Sequence, residues 1–371
     1  MSNKPRLTTA LPSTPPYTHP HPRQIRSAFL FGTPIAHALG PAVHTTIWQQ
    51  LGLPNEEWRF DLLDSTDTAE CLRWLRDRES GCVGCSITMP NKVAMLELVD
   101  GLTEEARGVG ALNTVFFRDD AESGGNKAVV KQGGGGGRDG RRRLIGANTD
   151  ALGIRDAFLR VCPGLKQGPV DAGPSCHSAL VLGAGGAARA AVYALWKLLG
   201  VQTIYVVNRD QEEARAMIES MVGNRIGAHL VFLDQAERVD AAFATPAGID
   251  LVVGTVPDVD VISAGEKRAW GMVEEVLRSR SGGDGNKGTQ ANIRFVLDMA
   301  YAPSPRTRLL RLAEDHGWTT ISGVDVLADI CIAQNRLWCP ELWQRKGKGS
   351  VEGVEDVVRV KLSEVLAQRS G

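Results

Sequence analysis

The sequence predicts an α/β protein of two domains: an N-terminal α/β substrate domain followed by a Rossmann-type doubly wound parallel sheet. Three observations carry this. Apolar strand-like runs alternate with helix-patterned segments almost throughout, the pattern of largely parallel sheets. The chain has 371 residues, more than one core usually serves. The apolar run Ser178–Leu182 also leads straight into Gly183-Ala184-Gly185-Gly186-Ala187 and a helix rich in Ala and Leu, the strand–turn–helix context of a dinucleotide site.

Taken in order, "SAFLFG", "EWRFDLLD" and "GCVGCSIT" read as strands, with the helical "AVHTTIWQQLGL" and "DTAECLRWLRDRE" between them. "VAMLELVDGLTEEARGVG" reads as a helix leading to the strand "ALNTVFFR". The low-complexity "DDAESGGNKAVVKQGGGGGRDGRRR" reads as a flexible hairpin loop lengthened by insertion. "RLIGANTD" resumes the strand pattern, and "TIYVVNRD", "DLVVGTVP" and "RFVLDMAY" supply later strands. A second loose insert, "SRSGGDGNKGTQAN", precedes the last of these. The amphipathic helix "GVDVLADICIAQNRLW" and a charged helix close the chain.

Hydrophobic residues make up 43% and charged residues 23%, with a net charge of -1. That balance suits a soluble globular protein and argues against a nucleic-acid footprint. No apolar run has the ~18 residues needed to span a bilayer. The seven cysteines have no disulfide-framework spacing and read as reduced, buried thiols. Cys82-x-x-Cys85 lacks a second such pair or a nearby histidine pair, so no metal is expected. Residues 1–24 are rich in Pro, Thr and Ser without an apolar signal core. They read as a disordered tail, and the cytoplasm is the default location.

Glycines at 183, 185 and 186 allow a tight turn and bring backbone N–H groups towards a pyrophosphate. At the end of the next strand an acid usually bonds the ribose hydroxyls of NAD. Here Asn208-Arg209 offers an amide and a guanidinium, which favours NADP, with NAD as the alternative because Asp210 opposes a phosphate. Two other stretches carry reactive side chains: "SITMPNK", with Ser86, Thr88 and Lys92, and "GANTDALG", with Asn148 and Asp150. A lysine and an aspartate converging on an alcohol form a proton-transfer pair for hydride chemistry. Lone Lys and Asp residues are more often solvated surface, so spacing alone leaves the pairing open.

The ordered set "GTPIAHALGPAVH", "SITMPNK", "GALNTV", "GANTDALG", "GAGGAARA", "NRD", "DMAY" and "GVDVL" resembles the shikimate/quinate dehydrogenase family from about Ala28 to Trp338. The resemblance implies a cleft enzyme of aromatic amino acid biosynthesis or quinate metabolism. Its substrate domain would span residues 25–150, completed by helices within 325–371, and its NAD(P)-binding Rossmann domain residues 151–324. Carried over, Lys92 and Asp150 are the catalytic pair. Thr88, Asn113 and Tyr301 match substrate contacts. Gly183, Ala184, Gly185, Gly186, Ala187, Asn208 and Arg209 match cofactor contacts, and Met299 and Gly323 match positions beside the nicotinamide. The expected partners are a small-molecule substrate and the cofactor, in a monomer or homodimer.

The departures concern substrate recognition. In the family, two serines of the opening loop grip the substrate carboxylate; here they are Ala38 and Gly40. The family's asparagine two residues before Thr88 is Ser86, a candidate replacement donor. Its late glutamine is Ile330, with Gln334 one helical turn further on. A hydrogen bond to a charged group is worth about 1.5–3 kcal/mol, so losing both hydroxyls is worth about two to four powers of ten in affinity. The leading reading is an NADP-preferring ring-alcohol dehydrogenase with shifted substrate recognition. The altered loop motivates a second: a catalytically silent metabolite-binding sensor of quinate or shikimate metabolism, opposed by the retained Lys92 and Asp150.

Overall fold

The computed structural model describes residues 25–77, 81–118, 129–130, 142–162, 165, 178–235, 251–279, 294–344 and 353–370. The Pro-rich residues 1–24, most of the glycine-rich loop and nearly all of the second insert lie outside the described residues.

The strands form two sheets. The first contains β1 (Arg26–Gly32), β2 (Trp58–Asp64), β3 (Cys82–Ile87), β4 (Gly101–Leu102), β5 (Thr114–Arg118), β6 (Val129–Val130) and β7 (Arg143–Ala147). Their order is β2-β1-β3-β5-β7-β4-β6. The second contains β8 (Ser178–Leu182), β9 (Thr203–Val207), β10 (His229–Phe232), β11 (Leu251–Gly254), β12 (Phe295–Asp298) and β13 (Thr319–Ile321). Its order, β10-β9-β8-β11-β12-β13, is parallel throughout. The order reverses beside β8, the switch point at which doubly wound sheets bind ligands. Every residue of β8 is buried, as a parallel strand covered on both faces requires.

The first sheet departs from the parallel expectation at its centre. β1 pairs in parallel with β2 and β3, but β5 runs antiparallel to both β3 and β7. This places Ser86 opposite Thr114 and Thr114 opposite Ala147. The end of β3, the start of β5 and the end of β7 therefore share one edge of the sheet, and the site is built there.

The helices are α1 (Gly40–Gln50), α2 (Thr68–Arg76), α3 (Glu104–Val109), α4 (Thr149–Val161), α5 (Gly186–Tyr193), α6 (Gln211–Gly223), α7 (Ala264–Ser279), α8 (Arg308–Asp315), α9 (Gly323–Trp338) and α10 (Val354–Ser370). The long helix expected over "VAMLELVDGLTEEARGVG" is instead a short 3₁₀ turn at Ala94–Glu97, strand β4 and the brief α3. Asp100 breaks it. Its N–H donates to Leu144 O at 2.8 Å, and its carboxylate accepts from Leu144 N at 2.8 Å. These bonds pin the chain to β7. Thr103 then caps α3, and Gly110, at φ 68°, ends it.

The last two helices pack on the first sheet. Ala328, Ile332 and Trp338 of α9 and Val358 and Leu362 of α10 share one core with Ala28, Val43 and Trp48. Asp329 of α9 anchors this packing. It accepts from Arg160 of α4 at 2.5 Å and from Arg359 of α10. α9 lies so close to β3 that a methyl at Gly84 (φ 156°) would come within 2.4 Å of both the Trp338 indole and Val115 O. The same indole donates to Val115 O at 3.0 Å. Gly84→Ala is therefore expected to lower stability by about 2–3 kcal/mol. Urea denaturation should show an earlier midpoint at unchanged slope.

Candidate active site

β3 ends at Ile87 and a proline turn carries Lys92 to the head of the cleft. On the far side, Asn148 caps α4. Its side chain accepts from Ala151 N at 3.1 Å and donates to Ala111 O at 3.0 Å. That cap turns Asp150, in the first helical turn, inward. Lys92 Nζ lies 2.6 Å from Asp150 Oδ2, and Asn113 Nδ2 donates to Asp150 Oδ1 at 2.7 Å. Asp150 is buried, and each of its oxygens has a charged or amide partner, as a buried carboxylate needs.

Asn113 is itself held in one orientation. Its Oδ1 accepts from Thr149 N at 2.7 Å, from Thr149 Oγ1 at 3.0 Å and from Thr114 Oγ1 at 2.9 Å. A backbone N–H can only donate, so Nδ2 is the end that faces Asp150. Behind this group, Gln334 Nε2 donates to Thr114 Oγ1 at 3.1 Å, and Ser86 Oγ donates to Gln334 Oε1 at 3.0 Å. Ser86, expected as a donor to a substrate carboxylate, directs its hydroxyl proton to Gln334 in this structure.

These groups face a cavity of about 510 Å³. All eight residues expected to bind or transform substrate line it: Ala38, Gly40, Ser86 and Thr88 with Lys92, Asn113, Asp150 and Tyr301. Ile330 and Gln334 line it as well. Under the opening loop, His44 stacks on Phe60 with ring centroids 4.3 Å apart and accepts at Nδ1 from Asn335 Nδ2 at 2.8 Å. Burial pushes the imidazole down to about 3, against a hydrogen bond with Gln334, so His44 is neutral at working pH. Phe60 occupies the space beside Gly40, where a Cβ would lie 3.2 Å from its ring.

A second cavity, of about 330 Å³, opens on the second sheet and is lined by Gly183, Ala184, Gly185, Asn208 and Arg209. Met89 and Pro257 line both cavities, so the two adjoin. The turn fits a dinucleotide. Gly183 adopts φ 119°, and a Cβ there would strike Thr255 Oγ1 at 2.3 Å, whereas at Gly185 nothing lies within 4 Å of that position. α5 begins without a side-chain cap, so its first N–H groups face outward as donors for phosphate oxygens.

Four residues expected at the cofactor are absent from the linings of both cavities. Gly186 and Ala187 start α5, and a Cβ on Gly186 would lie 3.8 Å from Lys92 Cδ. Met299 and Gly323 line neither cavity. Met299 N donates to Gly254 O at 2.8 Å, and Gly323 admits the carbonyls of residues 298–300, which a Cβ would meet at 2.6–2.8 Å. Arg209, expected to hold a 2′-phosphate, is paired with Glu266 at 3.0 Å. Asn208 Nδ2 donates to Glu213 Oε2 at 3.0 Å. Sequence reading missed Glu213, Glu266, Thr114, Thr149 and Phe60. A usable signal existed for Glu266: Ser263-x-x-Glu266 is a capping box, and both of its bonds form.

Cys82 and Cys85 are buried in β3. Burial pushes the Cys82 thiol up to about 12 and holds the Cys85 thiol well above its ordinary value. Among the described residues, no group of three or more His, Cys, Asp or Glu side chains is arranged to hold a metal ion, and no helix is long and apolar enough to cross a membrane.

Residues 30–115 match the model of the shikimate dehydrogenase substrate binding domain. The chain is 31% identical over 355 residues to quinate dehydrogenase of Emericella nidulans, covering 92% of this chain and 95% of that protein. A shikimate 5-dehydrogenase from Mycobacterium fortuitum superposes with a TM-score of 0.63 at 27% identity, covering 92% of this chain and 99% of that one. Quinate dehydrogenase from Corynebacterium glutamicum in complex with NAD shares the fold, with a TM-score of 0.62 at 21% identity over 90% and 98% of the two chains.

The packing of Phe60 against Gly40 yields a prediction. Gly40→Ser should destabilise the chain by about 1–2 kcal/mol by pressing on the ring. A second change, Phe60→Leu, should recover most of that loss. Thermal melts of the single and double variants measure both effects.

Proposed function

The chain belongs to the shikimate/quinate dehydrogenase family, and on that premise we propose that it interconverts a ring alcohol and ketone of a quinate- or shikimate-like polyol carboxylate, using a nicotinamide dinucleotide. The observation that carries this is the 2.6 Å contact of Lys92 with Asp150 in the wall of the substrate cavity. A bound nicotinamide supplies or accepts the hydride. In the reducing direction the Lys92 ammonium gives a proton to the substrate's carbonyl oxygen. In the oxidising direction the Lys92 amine takes the hydroxyl proton back. Asp150 holds the lysine in place and balances its charge, while Asn113 holds Asp150. Thr88 and Tyr301, on the same cavity, orient the ring hydroxyls.

For the cofactor, the surroundings of Arg209 favour NAD over the NADP that its sequence position suggests. Its guanidinium is already neutralised by Glu266. Three carboxylates, Glu213, Asp260 and Glu266, line the same cavity. Glu266 is held down to about 2 by the Ser263 N–H and by Arg209, so it stays anionic at any working pH. A 2′-phosphate would face these charges, whereas a 2′-hydroxyl donates to a carboxylate. Glu213 is our candidate for that acceptor.

The test is cofactor reduction, followed by absorbance, with quinate, shikimate and related polyols against NAD⁺ and NADP⁺. One acid should be oxidised faster with NAD⁺. Lys92→Ala should lower kcat by about 10²–10⁴-fold while dinucleotide affinity holds. Glu213→Lys should move preference towards NADP⁺ by about tenfold or more. Tight metabolite binding without turnover across the panel would instead support the sensor.

A further inference from the structure

We infer that Gln334, anchored by Ser86, is a positioning residue for the Lys92–Asp150 pair: by donating to Thr114 it keeps the Thr114 hydroxyl proton on the side of Asn113, which holds Asp150. This deepens the dehydrogenase reading and rests on it.

Thr149 N, a donor only, lies 2.7 Å from Asn113 Oδ1. That leaves Asn113 Nδ2 to donate to Asp150. Thr114 has one hydroxyl proton, which goes to Asn113 Oδ1 at 2.9 Å or to Thr149 Oγ1 at 3.0 Å, both away from α9. Towards α9, Thr114 therefore presents only lone pairs, and its neighbour there must donate. Gln334 Nε2 does so at 3.1 Å. The amide's other end must then accept: Ser86 Oγ–H supplies a proton at 3.0 Å, and the buried, neutral His44 ring of α1 also bonds Gln334. A primary amide meets both demands at once, with a donor to one side and an acceptor to the other.

Every member of this chain is buried: Gln334 and Asn113 at 3% exposure, Thr114 and Thr149 at 0%. In that setting water does not replace a lost partner, and each bond of the network polarises the next. Gln334 also lines the substrate cavity, so the relay runs from the substrate side to the catalytic carboxylate. The next residue of α9, Asn335, bonds His44 at 2.8 Å. Two adjacent amides thus fix the register of α9 against the first sheet from two sides.

The test uses the full chain with Gln334→Glu, Gln334→Leu and Thr114→Val. A carboxylate at 334 keeps the shape but accepts from both neighbours, so the Thr114 proton turns away from Asn113. Gln334→Glu should melt within a few degrees of the parent and bind dinucleotide equally well. Its kcat should fall about 10- to 100-fold at neutral pH with KM little changed. Activity should recover as pH falls and the introduced carboxyl takes up a proton, a pH profile that a merely structural role does not produce. Gln334→Leu and Thr114→Val should lose kcat without recovery, and Thr114→Ser should retain it. The side-chain NH₂ signal of Asn113 in ¹⁵N NMR spectra gives a readout that needs no turnover, and it should shift in Gln334→Glu. An unchanged Asn113 signal, or kcat and pH profile within about twofold of the parent in Gln334→Glu and Gln334→Leu, overturns the inference. Full activity in Lys92→Ala would instead sink the dehydrogenase pair itself.

Discussion

A buried carboxylate sets the terms for this site. Asp150 is 5% exposed, and an ionised carboxylate left alone there would cost several kcal/mol. Its two oxygens are met by Lys92 and Asn113, and each of those needs support in turn. Lys92 is set by the turn after β3, beside the first turn of α5. Asn113 is set by the backbone and hydroxyl of Thr149, the residue next to Asp150 itself. The geometry of the candidate site is thus a closed loop of mutual constraints, and α9 joins it through Gln334.

The topology makes that loop possible. A purely parallel first sheet would not bring the end of β3 and the start of β5 together. The antiparallel β5 does so, and its register sets Ser86 against Thr114 and Thr114 against the end of β7. α4 leaves from that end, its first turn carrying Thr149 and Asp150. α9 covers the same edge because Gly84 lets the Trp338 indole approach the backbone. The second sheet then brings its switch point, with the glycine turn of α5, against the lysine.

Much of this was legible in the sequence. The strand–turn–helix at 178–193, the strand before Lys92 and the Asn148 cap before Asp150 are local patterns. Short-range physics decides them: glycine's freedom at Gly183, the N-cap bond of Asn148, the burial of continuous apolar runs. The same logic explains the helix expected over residues 93–110. Its apolar spacing was sound, but the two bonds of Asp100 to Leu144 override it, and periodicity carries no information about a strand more than forty residues away. The four missing polar ligands were also visible as Ala38, Gly40, Ser86 and Ile330, although the Phe60 ring packed beside Gly40 was not.

By itself the sequence determined the two α/β units, the dinucleotide turn and the candidates for proton transfer, because each is written in contiguous residues. The tertiary structure alone decided how those residues are used. Ser86 gives its proton to Gln334, 248 residues away. Arg209 is neutralised by Glu266, 57 residues away. Asn113 turns its amide to Asp150, 37 residues away. The direction of a hydrogen bond and the free charge of a side chain depend on the partner opposite, and only the folded chain selects that partner.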